Sequence, residues 1–116
     1  MTEMADYGTP VSQELLHSYF KNLVNQFFKI LPIKENGEDT LPVYMESLMA
    51  ELLGCKSLVP QLNDNAQYMA LLSILQFLID NQECSVKEVK REVFKAINIC
   101  NKLESAYADH GPEVAQ

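Results

Sequence analysis

The chain has 116 residues, 9 basic and 16 acidic, for a formal charge of −7; 47% of its residues are apolar and 22% charged. That balance describes one folded domain rather than a disordered chain. A net negative charge also disfavours nonspecific attachment to nucleic acid or to an anionic lipid surface.

The longest charge-free run, residues 65–79, would span about 22 Å as a helix, short of the roughly 30 Å hydrocarbon core of a bilayer. No membrane span is expected. Three cysteines, Cys55, Cys84 and Cys100, are too few and odd in number for a disulfide framework. A polar, acidic start lacks the features of a secretory signal. Together these point to a reducing, cytoplasmic location.

Residues 1–9 read as a flexible segment, and the predicted first helix covers 10–31. Thr9 is its candidate N-cap, Pro10 fits the first helical position, and Pro32 is the expected stop. Apolar pairs recur every four residues: Leu15/Leu16, Tyr19/Phe20, Leu23/Val24, Phe27/Phe28. A four-residue step drifts about 40° per step on a 3.6-residue helix, so this stripe should spiral and touch more than one neighbour. Residues 33–40 read as a polar loop.

The second predicted helix covers 42–53, with Gly54 as its expected C′ residue. Residues 55–63, with Pro60 inside, read as a connector holding at most one helical turn. The third, 65–81, is apolar nearly all round, which predicts the most buried helix of the set. The fourth, 86–107, opens on a capping box, Ser85-Val86-Lys87-Glu88. Its seam is Val86, Val89, Val93, Ala96, Cys100, Leu103 and Tyr107, in steps of three and four. No stretch alternates with period two, so strands are not expected. The fold class is all-α: a single-domain antiparallel bundle of about four helices over 10–107, followed by a flexible tail at 108–116.

No catalytic, cofactor or metal site is predicted. Glu14 and His17 form one Glu-x-x-His spacing, but a di-iron bundle needs two with further carboxylates, and both residues should face water. No Cys or His pair has zinc spacing. Cys84 precedes a helix start, and Cys100 lies in an apolar seam; both read as structural. The acids of 35–39 lack the ligand pattern of a calcium loop, and no glycine-rich phosphate loop is present.

Candidate contact residues lie on two helices. Lys87, Arg91 and Lys95 recur every four residues on the outer side of the fourth helix, and Phe94 stands among them, outside the seam. Local pairs Glu83–Lys87, Glu88–Arg91 and Glu92–Lys95 would neutralise much of this charge. On the first helix, Asn22, Asn25 and Gln26 make an uncharged polar face of the kind interfaces tolerate. The expected function is that of a small non-catalytic protein that binds another protein or itself, with nucleic acid disfavoured. The alternative is an acidic inhibitor or immunity-type protein covering the basic site of a nucleic-acid-processing target.

Overall fold

A computed structural model describes residues 12–37 and 39–108. Among the described residues six helical segments follow one another: α1 (Gln13–Phe28), α2 (Ile30–Glu35), α3 (Leu41–Leu58), α4 (Pro60–Asn63), α5 (Ala66–Asp80) and α6 (Val86–Ala108). The described residues contain no strand, so the protein is all-helical, and its buried side chains form one core. The expected flexible ends lie outside the described residues, apart from Ala108, which is the last residue of α6.

Local signals set several of the boundaries. Ser12, not Thr9, caps α1: its hydroxyl accepts from the Leu15 amide at 3.1 Å. Thr9 and Pro10 lie outside the described residues. Asn65 caps α5, accepting from the Tyr68 amide at 2.9 Å. The capping box forms as expected. The Glu88 amide donates to the Ser85 hydroxyl at 3.1 Å, and the Ser85 amide donates to the Glu88 carboxylate at 3.2 Å.

Two expected stops are not stops. Pro32 sits inside α2, at its third residue. Amides in a first turn have no intrahelical acceptor, so a proline there forfeits nothing. The expected loop therefore begins after Glu35, and its turn is made at Gly37, whose φ is +65°. Gly54 is not a C′ residue either. It lies within α3, which continues to Leu58. The break comes at Val59, held extended (φ −110°, ψ 108°) by the following Pro60. Pro60 then opens the single turn of α4.

The core follows from the apolar spacing. On α1 the buried residues are Leu16, Phe20, Leu23 and Phe27, and Ile30 follows on α2. These take the second member of the first two pairs and the first member of the last two. That switch converts a drifting four-residue step into alternating steps of four and three, which stay on one face. The other members flank the stripe. Tyr19 packs toward Cys55 and Tyr68, on α3 and α5, and Phe28 toward Phe94 on α6.

Long-range contacts show how the long helices lie. His17 meets Glu104 and Phe20 stacks on Tyr107 at 5.9 Å, while at the other end Phe28 meets Phe94. The start of α1 is thus beside the end of α6. Likewise the Tyr68 hydroxyl reaches the Leu52 carbonyl, while Met45, Leu78 and Val89 line one crevice. Helix α5 buries Tyr68, Leu71, Leu75 and Leu78, yet leaves Met69 and Phe77 exposed. It packs against both α3 and α6, with Leu72, Ile74 and Ile79 partly buried beside that core face.

Candidate functional site

Helix α6 presents its seam to the core and its polar side to solvent. Val89, Val93, Ala96, Cys100 and Leu103 are buried as the spacing predicts, joined by Ile97; Val86 is exposed. Phe94 projects from the side of this seam that faces α1. Its ring meets Phe28 edge to face, with centroids 5.8 Å apart and planes at 84°. The pair is not sealed, because Phe94 keeps 40% and Phe28 38% of their surface exposed. Two large aromatics from separate helices therefore form one surface feature.

The cations around Phe94 are not equivalent. Lys95 Nζ lies 3.1 Å from a Glu92 carboxylate oxygen, and Arg91 Nε lies 3.5 Å from the same oxygen. Glu92 is only 7% exposed, so one nearly buried carboxylate anchors two exposed cations. The Glu92–Lys95 pair is the one the spacing predicts. Glu88 is engaged at the Ser85 amide, and Arg91 turns to Glu92 instead. Helical phase puts Lys95 toward α5 and Lys87, Lys90 and Arg91 on the same side as Phe94. Lys87 and Lys90 are exposed.

Asn22 and Gln26 lie elsewhere, on the flank of α1 that faces α3. Asn22 is exposed. Gln26 is half-buried and tied to α3: the Tyr44 hydroxyl donates to its backbone carbonyl at 2.7 Å and to its side-chain oxygen at 3.0 Å. Burial, then the charge of Glu51, raises the Tyr44 pKa and keeps that donor protonated. The structure brings Phe94, Lys87 and Arg91 together, and it separates them from Asn22 and Gln26. Phe28 and Lys90 belong with the first group. Sequence reading placed Phe28 in a general apolar stripe. The signal for its exposure was the step switch at Leu23/Val24, which needs the core phase to be seen.

The remaining reactive groups are arranged as structural ones. His17 does not face water as expected. It is half-buried, with Nδ1 donating to the Glu104 carbonyl at 3.2 Å and Nε2 3.6 Å from the Glu104 carboxylate. Cys100 is fully buried, and burial together with nearby Glu104 pushes its thiol up to about 12. The Cys84 thiol is also raised, chiefly by desolvation, against a lowering by Lys34. Among the described residues no cluster of three or more His, Cys, Asp or Glu is placed to hold a metal ion. No helix among the described residues is long and apolar enough to cross a membrane. Comparison of the chain with protein-family models, with characterised proteins and with solved structures finds no match.

Proposed function

We propose that this protein is a small, non-catalytic helical module that acts by binding another protein through the face shared by α1 and α6. In this reading the domain is an antiparallel helical bundle, with the packing face of α5 as its internal support. The observation that carries it is the half-open Phe28–Phe94 pair. Covering the surface that these rings leave in water would contribute on the order of 2 kcal/mol, a useful anchor for an interface core. Aromatic residues ringed by polar and cationic ones match the usual make-up of such a core and rim.

Three free thiols suit a reducing compartment and hence a cytoplasmic setting. The acidic-inhibitor alternative gains no support from this face, which carries cations. The test is affinity capture from an extract with the wild-type chain and a Phe28→Ser/Phe94→Ser variant. A protein retained in stoichiometric amount by the first and lost by the second supports the reading. Equal retention by both would move the contact elsewhere.

A further inference from the structure

The sign of the charge around the aromatic pair identifies the partner more closely. On α6 the strip that carries Phe94 runs Lys87, Lys90, Arg91, Phe94, Asn101, and no acidic residue interrupts it. On α1 the strip that carries Phe28 holds Lys21, Asn25 and Lys29. Acids enter only toward the far end, where Glu14 lies nearly four turns and about 21 Å away and Glu104 of α6 pairs with His17. Among the described residues, Lys21, Lys29, Lys87 and Lys90 form no ion pair, and the single charge of Glu92 is divided between Arg91 and Lys95.

Five of the nine basic residues thus lie along these two strips, and among the described residues the other four stand against eleven acids. The described part of the molecule is polarised, with a basic, aromatic-centred face on an acidic body. Its positive field is local, because charges beyond about 8–10 Å are screened at physiological salt.

Resting on the reading above, we infer that the occupant of this face is an acidic amphipathic helix of a partner protein. Its apolar stripe seats on Phe28 and Phe94, and its flanking Glu or Asp side chains meet Lys29, Lys90 and Arg91. The furrow between two packed helices suits a third helix, which supplies apolar anchors at i, i+3 and i+4 with charges beside them. A nucleic acid fits less well. Its charge extends past the face and meets the acidic body, and the chain offers one arginine for phosphate recognition.

The experiment pans a displayed library of random 16-residue peptides against the intact protein. Wild type, Lys90→Glu/Arg91→Glu and Phe94→Ser are compared; all the changes are at exposed positions, and folding is checked by circular dichroism. The expected enriched peptides are net acidic with helically spaced apolar residues. Their binding falls at least about tenfold in the charge-reversed variant and with a rise in salt to several times physiological strength. Enriched peptides that are neutral or basic, yet lost on Phe94→Ser, would overturn the acidic partner and leave the interaction surface standing. No enrichment, or tighter binding of an oligo-dT strand or of phosphatidylglycerol vesicles, would overturn both.

Discussion

The hydroxyl of Tyr68, a fully buried residue in the first turn of α5, donates to the Leu52 carbonyl of α3 at 2.7 Å. The Tyr19 hydroxyl is equally shut off from water; it faces the Cys55 thiol and the Tyr68 hydroxyl but makes no hydrogen bond of good geometry. The two phenols should respond oppositely to loss of the oxygen. Tyr68→Phe removes a satisfied buried bond and is expected to cost about 1 kcal/mol, whereas Tyr19→Phe removes an unpaired polar atom and is expected to be neutral or stabilising. Urea unfolding of both variants checks this. A larger loss from Tyr19→Phe would mean that its hydroxyl is bonded.

Leu75 and Phe77 lie two residues apart on α5 with opposite environments. Leu75 has no exposed surface and Phe77 keeps about two-fifths of its own. Leu75→Ala should destabilise by about 2–5 kcal/mol. Phe77→Ala should cost less, under about 1 kcal/mol, because its removal opens no enclosed cavity. Similar losses would place α5 differently in the fold.

Gly54 has helical backbone geometry in the interior of α3, and a Cβ added there meets nothing within 4 Å. Gly54→Ala is therefore expected to raise stability by about 0.5–1 kcal/mol, by lowering the entropy of the unfolded chain. A loss of stability would mean that α3 ends at the glycine.

Alkaline pH should weaken the fold. The buried Cys100 thiol keeps its proton to about pH 12, whereas the ordinary thiol value is 9.0. Burial raises the phenols of Tyr19 and Tyr68 as well. Between about pH 9 and 12 the unfolded chain therefore binds fewer protons than the folded one. Stability, full below about pH 9, falls above it by at most roughly 1.4 kcal/mol per pH unit for the thiol, and the two phenols, ordinarily near 10.0, add to the loss only above about pH 10. Urea midpoints measured from pH 7.5 to 10.5 check the slope. The same burial predicts that Cys100 reacts with an alkylating reagent at pH 8 only as fast as the chain opens. Immediate labelling would contradict its place in the core.

Features decided within one helical turn were legible in the sequence. The Ser85–Glu88 box and most of the α6 seam need only neighbours three or four residues away, whereas Asn65, read as the first residue of its helix, is the cap. The all-helical class followed from the same periodicities. Boundaries that depend on tertiary context were not legible. Pro32 reads as a stop unless a new helix is known to begin at Ile30, and Gly54 reads as a terminus unless the following residues are known to pack. Within the candidate site, Phe94 and the cations beside it stood out because they break the seam. Phe28 did not, because the choice between the two members of each apolar pair is made by the core. Nor did the burial of Glu92, whose local pairing with Lys95 looked like that of any solvated face.

On the proposed function, the Phe28–Phe94 face binds a protein partner. The most direct test is side-by-side affinity capture with wild type, Phe28→Ser/Phe94→Ser, and Met69→Ser/Phe77→Ser, which removes comparably exposed apolar surface from α5. The expected outcome is a stoichiometric partner held by wild type and by the α5 variant and lost from the aromatic-pair variant. Loss from the α5 variant alone, or retention by all three, would contradict it.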